Sequence, residues 1–447
     1  MSASSFLRRL LGRLRPGVDQ RTQNLLSLCE ALLGERGEVS GAVLARDALA
    51  AYQGLDERGR EEFFNILGSE FAPSPEAVGK AADAYRYDPT PQNLIELQEI
   101  IDTARQELFR RLNMAPGGTE TLVAMRAELL RGLKQHPNWR GIDADFLHLF
   151  RSWFNRGFLR LERIDWHTSA IVLEKLIQYE AVHAVQGWRD LRRRLEGDRR
   201  CFAFFHPQLR DEPLIFIEVA LTRGISSQVQ PLLDINAPVA TPAQADCAIF
   251  YSITNCQEGL RGTSFGNLLI KQVAEDLKRE FPHLRTFATL SPIPGFRRWL
   301  DATETRVRLS VGPNAEQRLA LLSGIDEPGW HAGEVPEQLQ KLLMRLCAWY
   351  LVHAKQGAEP LDPVARFHLG NGAALERLNW LGDTSESGMA RSAGLMVNYA
   401  YRLEDVERNH ERYFADHVVV ASRAVEKFAR KSPLAARVAS LDQSAET

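Results

Sequence analysis

The sequence predicts an α+β protein in which an all-α helical bundle is followed by a mixed α/β domain. From about Thr22 to Arg194, apolar side chains recur at spacings of three and four residues, the period of an amphipathic helix. After the charged run 189–199, short β-branched and aromatic segments alternate with turn residues, which is typical of strands. We therefore expect a helical domain over residues 1–195, a mixed α/β domain over 196–435 and a flexible tail over 436–447.

The composition is that of an ordinary globular protein. The chain has 447 residues, with 55 Lys and Arg against 57 Asp and Glu. The net charge of −2 gives no overall attraction for nucleic acid or for an acidic membrane surface. No apolar run reaches the ~18 residues that a membrane span needs. The five cysteines form no CxxC pair and no zinc-like spacing with histidine, so we expect reduced thiols, no metal and an intracellular protein.

The helical half shows no pattern of catalytic residues. Its repeats include Leu25, Leu28, Cys29 and Leu32, and also Leu94, Leu97, Ile100 and Ile101. The stretches 146–161 and 170–185 continue the helical period. We expect this half to serve assembly or support.

The segment before Asp19 is basic and amphipathic. It carries four arginines and no acid, and its leucines fall on one helical face. We interpret it as the first helix of a cytoplasmic bacterial protein. A mitochondrial presequence, which would place the protein in the matrix, is the alternative.

The second half alternates strand and helix signals. The predicted strands are Cys201–Phe205, Pro213–Leu221, Asp246–Ile253, Leu284–Leu290, Val364–Leu369 and Leu395–Tyr401. One predicted helix, Asn267–Phe281, carries Leu269, Val273 and Leu277 on a single face, and further helices fill Asn314–His353.

A glycine-containing loop between a predicted strand and this helix is the first candidate binding site. Its residues are Arg261, Gly262, Thr263, Ser264, Phe265, Gly266 and Asn267. Two glycines permit a tight turn, and the free N–H groups of a helix N-terminus attract phosphate. The same letters also match G-x-S-x-G, which would make Ser264 a hydrolase nucleophile. We favour the phosphate interpretation, because a polar loop separates the strand from Ser264; an ordinary connection is the third alternative.

Three further stretches carry polar groups near predicted strand ends. Ser291 lies in a stiff Ser-Pro-Ile-Pro-Gly turn, and His368 precedes an Asn-Gly turn. Asn398 and Tyr401 lie on the last predicted strand. Each could instead serve a turn or the packing of the sheet.

Taken together, these stretches resemble the malonyl-CoA decarboxylase family. The segments that carry the resemblance occur in the same order over most of residues 200–405: 248–253, 261–267, 281–284, 290–296, 367–369, 371–373, 379–380, 394–396 and 398–399. The resemblance implies a catalytic half with an N-acetyltransferase-like (GNAT) fold, preceded by the family's helical domain. One departure is Ser264, where mitochondrial members carry a glutamate.

The resemblance also implies roles for individual residues. The loop 261–267 would hold the CoA pyrophosphate, Ser291 would be the proton acceptor, His368 the proton donor, and Tyr401 a tyrosine close to them. The implied reaction converts malonyl-CoA to acetyl-CoA and CO2 through a thioester enolate that is protonated at Cα. It needs no cofactor, because the thioester accepts the electrons. The family also implies a homodimer or homotetramer. Because the adenosine 3′-phosphate of CoA calls for basic residues at the rim of the pocket, Arg297 and Arg298 are candidates to bind it; solvated charges on a helix are the equal alternative.

Three other functions share these features. A GNAT-type acyltransferase would need an amine acceptor, and an acyl-CoA hydrolase would use Ser264. A CoA-binding sensor would bind without forming product. We expect malonyl-CoA and acetyl-CoA as the small-molecule partners, and neither nucleic acid nor a membrane span.

Overall fold

The computed structural model describes residues 18–35, 37–263, 269–327 and 329–435. The chain forms two compact units. The first contains the described residues up to Arg160 together with 204–214 and the described part of 255–265. The second contains the other described residues. The basic segment before Asp19 lies almost entirely outside the described residues, and so does the tail 436–447.

The described part of the first unit consists mainly of eight α-helices. Their bounds are Gln20–Gly34 (α1), Glu38–Gln53 (α2), Glu57–Ser69 (α3), Pro75–Tyr87 (α4), Pro91–Ile101 (α5), Ala104–Leu112 (α6), Gly118–Gly132 (α7) and Arg140–Trp153 (α8). Several begin where the sequence offers a capping side chain: Asp56 accepts the N–H of Gly59, and Ser74 accepts that of Ala77. The helical first half is therefore confirmed up to Trp153.

Aromatic and aliphatic side chains fill the core of the first unit. The rings of Phe109 and Phe146 stack with centroids 4.1 Å apart. Leu25, Cys29 and Leu32 are buried, as their spacing predicts. Helix α5 is different: it forms, but none of its residues is buried, and Ile95 and Ile101 are about half exposed.

The centre of the second unit is an eight-stranded sheet of the described chain. Its strands are Arg160–Ile164 (β1), Arg199–Phe205 (β2), Pro213–Thr222 (β3), Cys247–Asn255 (β4), Thr286–Thr289 (β5), Ser291–Pro292 (β6), Ala374–Asn379 (β9) and Met396–Ala400 (β10). Lys355–Gln356 (β7) and Glu359–Pro360 (β8) form a separate hairpin. The order in the sheet is β1-β2-β3-β4-β5-β10-β6, and β9 pairs with β10.

Helices connect and accompany these strands. They are Ala170–Tyr179 (α9), Trp188–Arg194 (α10), Gln230–Leu233 (α11), Leu269–Glu280 (α12), Phe296–Asp301 (α13), Thr303–Leu309 (α14), Ala315–Ser323 (α15), Glu337–His353 (α16), Pro363–Gly370 (α17), Glu386–Ser392 (α18), Val406–Asp416 (α19) and Arg423–Arg430 (α20). Strands β4 and β5 are parallel, and α12 lies between them in sequence. This is the strand–loop–helix–strand order expected of a GNAT-like fold, and the predicted α+β class is confirmed.

Two predictions about individual elements are wrong. Residues 364–369 form helix α17 and not a strand, because Pro363 occupies the first turn and Asp362 accepts the N–H groups of Val364 and Ala365. Residues 160–164 form strand β1 within a stretch predicted to be helical. None of the described helices is both long enough and apolar enough to cross a membrane.

Strand β10 lies between the chain segments that carry the candidate catalytic residues. It pairs with β5 through Ala400 and Ala288, and with β6 through Val397 and Ser291. The ladder between β4 and β5 has its last pair at Phe250 and Thr289. Ser291 therefore lies two residues beyond the point where the two parallel strands stop pairing.

Candidate active site

Ser291, His368 and Tyr401 form one hydrogen-bonded cluster in the second unit. Ser291 Oγ lies 3.0 Å from His368 Nε2, and His368 Nδ1 lies 2.8 Å from the hydroxyl oxygen of Tyr401. All three residues are buried, with exposed fractions of 5%, 3% and 1%. The structure thus brings together the three residues that sequence comparison singled out from separate stretches.

Different elements supply the three side chains. Ser291 begins β6, His368 lies in the last turn of α17, and Tyr401 follows β10 directly. The backbone N–H of Tyr401 donates to the carbonyl of Phe287 at 2.8 Å, which extends the pairing of β10 with β5 past Ala400. The sheet fixes Ser291 and Tyr401, and the helix brings the histidine between them.

The imidazole of His368 is neutral. Its ring stacks on Tyr399 with centroids 4.5 Å apart, and no carboxylate hydrogen-bonds to it among the described residues. Burial lowers the pKa of His368 from its ordinary value of 6.5 to about 3. At neutral pH any proton that His368 gives must therefore come from the neutral ring.

Thr289 is a polar neighbour of this cluster that the sequence reasoning missed. Ser291 Oγ donates to Thr289 Oγ1 at 2.8 Å, and the N–H of Tyr399 donates to the same oxygen at 3.1 Å. Thr289 is wholly buried. The available signal was its position two residues before Ser291, because side chains two apart on an extended chain point to the same face.

Asp362 is a second missed residue, and it holds the helix that carries His368. Its carboxylate accepts the N–H groups of Val364 at 3.0 Å and Ala365 at 2.9 Å, and the hydroxyl of Tyr350 lies 3.3 Å away. Burial raises the pKa of this carboxyl group, and the N–H of Gly295 is among the donors that oppose the rise. Gly295 follows Ser291 by four residues, so Asp362 joins the serine turn to the histidine helix. The Asp-Pro pair before a helix was the sequence signal.

Gly295 must be a glycine at this junction. A Cβ atom built there would lie 2.3 Å from the hydroxyl oxygen of Tyr350, far inside van der Waals contact. The Pro-Gly of the serine turn thus has a packing reason as well as a turn reason.

The predicted phosphate loop is described only at its start. Arg261 forms an ion pair with Glu258 at 2.9 Å, and Gly262 has a left-handed φ of +78°. Thr263 is buried, and its hydroxyl has no hydrogen-bond partner among the described residues. Ser264, Phe265, Gly266 and Asn267 lie outside the described residues, so the structure does not place the hydrolase alternative at Ser264.

The first unit anchors the chain just before this loop. The buried Arg126 of α7 pairs with Asp143 at 2.8 Å and donates to the carbonyl oxygen of Gly259 at 2.6 Å. A Cβ on Gly259 would lie 1.9 Å from the carbonyl oxygen of Val123, so only glycine permits this approach. The start of the loop therefore packs directly on a helix of the first unit.

Basic residues that follow the loop and Ser291 in the sequence form ion pairs with acidic side chains. Lys271 pairs with Glu407 at 2.6 Å, and Arg297 pairs with Asp301 and Asp326 at 3.2 and 2.7 Å. Arg298 is exposed, and no ion pair of it occurs within the described ranges. In the part of the chain that the structure describes, no group of three or more His, Cys, Asp or Glu side chains is arranged to hold a metal ion.

The arrangement suits proton transfer in a closed, uncharged setting. A neutral imidazole can give a proton from one ring nitrogen while its other nitrogen accepts one from Tyr401. No lysine or arginine of the described residues hydrogen-bonds to Ser291, His368 or Tyr401. Such a site can protonate a strong carbon base without holding a fixed charge.

Comparison with known proteins gives consistent matches over both halves of the chain. Residues 157–439 match the family model of the malonyl-CoA decarboxylase C-terminal domain, and residues 71–154 match that of the malonyl-CoA decarboxylase N-terminal domain. The chain is 38% identical over 375 residues to the mitochondrial malonyl-CoA decarboxylase of Anser anser anser. That match covers 79% of this chain and 72% of the goose protein.

Solved structures agree with these matches. The crystal structure of malonyl-CoA decarboxylase from Rhodopseudomonas palustris superimposes with a TM-score of 0.85 at 48% identity, over 91% of this chain and 99% of that one. The crystal structure of malonyl-CoA decarboxylase from Agrobacterium vitis gives 0.83 at 47% identity, with coverages of 91% and 99%.

The low pKa of His368 predicts a pH dependence of stability. Because the folded state keeps this ring neutral while the unfolded chain protonates it below about pH 6.5, lowering the pH favours unfolding. Between pH 7 and pH 5, the wild type should lose about 2 kcal/mol more free energy of unfolding than His368→Gln, since one pKa unit corresponds to about 1.4 kcal/mol. Denaturant unfolding at the two pH values measures this difference.

His167, whose side chain is almost fully exposed, provides the control for replacing a histidine. His167→Gln should follow the wild type at both pH values. Equal losses in wild type and His368→Gln would contradict the low pKa.

Proposed function

This chain belongs to the malonyl-CoA decarboxylase family, and we propose that it converts malonyl-CoA to acetyl-CoA and CO2 at the Ser291–His368–Tyr401 cluster. The observation that carries the proposal is the pair of hydrogen bonds through His368, 3.0 Å to Ser291 and 2.8 Å to Tyr401, within a buried site. Such a site offers protons without offering a fixed charge.

The bond that breaks joins Cα of the malonyl group to its carboxylate carbon. Its electron pair moves to Cα and is delocalised onto the thioester oxygen as an enolate, while the carboxylate leaves as CO2. The thioester itself accepts the electrons, so the step as proposed needs no cofactor beyond the substrate. A cationic partner for the carboxylate would stabilise the ground state and slow its loss. The lack of lysine or arginine hydrogen bonds to the described cluster supports this step.

The enolate is then protonated at Cα. We assign the donated proton to Nε2 of His368. Before the reaction this N–H donates a hydrogen bond to Ser291 Oγ, and its proton moves to Cα once the enolate has formed. The bare Nδ1 takes the Tyr401 proton across 2.8 Å. After turnover a solvent proton enters at Nε2 and Nδ1 returns its proton to the Tyr401 oxygen, which restores the resting tautomer. One proton is consumed for each CO2 released.

Tyr401 does not serve the thioester oxygen in this scheme. Its hydroxyl is engaged by His368 Nδ1, and the side chain is 1% exposed. Donors to the developing oxyanion are therefore expected from backbone N–H groups, each of which typically contributes about 10²–10³ in rate.

The loop 261–267 is proposed to hold the CoA pyrophosphate. Support comes from the left-handed Gly262 and from the anchoring of Gly259 on α7 just before the loop. The buried Thr263 hydroxyl, which has no hydrogen-bond partner among the described residues, supports it as well. A backbone that turns tightly before a helix can direct N–H groups to phosphate oxygens.

Assembly and location are proposed on separate grounds. We propose that the first unit mediates homo-oligomerisation, as dimer or tetramer, because α5 leaves its aliphatic residues unburied. We keep the cytoplasm as the proposed location. The mitochondrial alternative depends on residues 1–17, which lie outside the described residues.

Replacing either residue of the Ser291–His368 pair should remove most of the activity. We expect Ser291→Ala and His368→Gln to lower kcat/KM by about 10²–10⁴, the usual contribution of a positioned proton donor. The assay uses purified protein with malonyl-CoA as sole substrate, and mass spectrometry identifies the products.

His283, an exposed histidine of the same unit, supplies the matched control, and His283→Gln should retain wild-type activity. Full activity in a folded Ser291 or His368 variant would refute the proton-transfer assignment. Free CoA with malonate would indicate the hydrolase and Ser264. Unreacted malonyl-CoA would favour the acyltransferase or the sensor.

Gly262→Val should raise the KM for malonyl-CoA by about tenfold or more, equivalent to about 1.4 kcal/mol of binding free energy. A β-branched side chain is strained at φ +78° and displaces the backbone that faces phosphate. With malonyl-pantetheine, which lacks the pyrophosphate, the variant and the wild type should have the same kcat/KM.

Gly224 offers the control, because its φ of +72° imposes the same strain on valine in the second unit. Gly224→Val should leave the KM for malonyl-CoA unchanged. If Gly262→Val binds malonyl-CoA as the wild type does, the loop does not hold the pyrophosphate.

Charges on α5 should break the oligomer. We expect the double variant Ile95→Glu/Ile101→Glu to reduce the molar mass measured by light scattering, because two carboxylates cannot be buried in an apolar interface without partners. Val307→Glu/Val311→Glu places the same charges on exposed positions of the second unit and should not change the mass. A monomeric wild type would contradict the proposal.

A further inference from the structure

The hydroxyl of Thr289 determines the direction in which the Ser291 hydroxyl donates its hydrogen bond. Thr289 Oγ1 lies 2.8 Å from Ser291 Oγ and accepts the hydrogen bond that the serine hydroxyl donates. Ser291 has only one proton, so its oxygen faces His368 Nε2, 3.0 Å away, as an acceptor. The hydrogen between Ser291 and His368 must therefore belong to the histidine.

This direction fixes the tautomer of the ring. A neutral imidazole carries one N–H, and here that hydrogen is on Nε2. Nδ1 is then bare, and it accepts the Tyr401 hydroxyl hydrogen across 2.8 Å. The chain of donors therefore runs from Tyr401 through His368 and Ser291 to Thr289.

Thr289 is itself held as an acceptor. The N–H of Tyr399 donates to Thr289 Oγ1 at 3.1 Å, and Nδ2 of Asn398 donates to the Thr289 carbonyl oxygen at 2.6 Å. Asn398 is buried, and its side-chain oxygen in turn accepts Nδ2 of Asn379 at 2.8 Å. The rotamer of Thr289 and the direction of its lone pairs thus depend on buried neighbours of β10 and β9.

We propose that Thr289 is a positioning residue, which keeps the proton of the neutral His368 on Nε2 by accepting the hydrogen bond of the Ser291 hydroxyl. The tautomer part of this inference rests on the hydrogen bonds of Ser291 and on the neutrality of the buried ring. Its effect on rate rests on the proposed decarboxylation, because Nε2 is the nitrogen from which Cα would be protonated.

Loss of the Thr289 hydroxyl should release the serine proton. In Thr289→Val, Ser291 can rotate its hydroxyl towards His368 and donate to Nε2. The imidazole proton then belongs on Nδ1, facing Tyr401, where it cannot reach the substrate. Thr289→Ser keeps the acceptor and should keep the wild-type tautomer.

The direct test is solid-state NMR on protein whose histidines carry ¹⁵N only at Nδ1. The His368 signal is the one that disappears in His368→Gln. We expect it at the position of a bare nitrogen in wild type and Thr289→Ser, and at that of a protonated nitrogen, wholly or in part, in Thr289→Val. A protonated Nδ1 in the wild type overturns the proposal, and so does a bare Nδ1 in folded Thr289→Val.

Kinetics give the second readout. Thr289→Val should lower kcat for malonyl-CoA by about tenfold or more, part of the 10²–10⁴ that a positioned acid supplies, with KM little changed. Thr289→Ser should restore kcat to near the wild-type value. Equal losses in both variants, or a loss confined to KM, would assign Thr289 a merely structural part.

The two proposals can fail independently. If the wild type has no decarboxylase activity, the proposed function fails, but the NMR result still decides the tautomer. If Thr289→Val does not fold, because the N–H of Tyr399 loses its acceptor, the wild-type spectrum still decides it: a protonated Nδ1 there overturns the inference.

Discussion

The hydrogen bond between Ser291 and His368 is the contact on which the site depends, and it joins residues 77 positions apart in the sequence. It forms only if the sheet and helix α17 place the two side chains at hydrogen-bonding distance. Strand β10 fixes Ser291 through the pair with Val397, and Asp362 fixes the first turn of the helix that ends with His368. Because the Asp362 carboxylate also accepts a hydrogen bond from the N–H of Gly295, it joins the turn that follows Ser291 to the helix that carries His368.

Burial gives the site its chemistry and also has a free-energy cost. An unpaired polar group in an apolar core costs about 1–3 kcal/mol, so the ring nitrogens of His368 and the hydroxyls beside it must satisfy one another. The same desolvation keeps the imidazole uncharged. A neutral donor pair suits a reaction in which a carboxylate must leave, because a fixed positive charge would hold that carboxylate in place.

The first unit also fixes the backbone immediately before the loop that is proposed to bind CoA. Arg126, buried and paired with Asp143, fixes the carbonyl of Gly259 immediately before the loop proposed for CoA. An arginine in an apolar core is tolerated only with such partners, and the partners in turn fix the backbone they bind. Substrate affinity and the packing of the first unit are therefore expected to be coupled through this carbonyl.

Local patterns by themselves determined the helical first half, five of the strands and helix α12, because period and turn residues act over a few positions. The order of short motifs along the chain, which resembles that of the malonyl-CoA decarboxylase family, also singled out Ser291, His368 and Tyr401. Tertiary structure alone decided that Ser291 lies 3.0 Å from His368, that Asp362 also accepts the N–H of Gly295, and that His368 is neutral. Hydrogen-bond partners and desolvation depend on residues far apart in the chain, and no local pattern contains them.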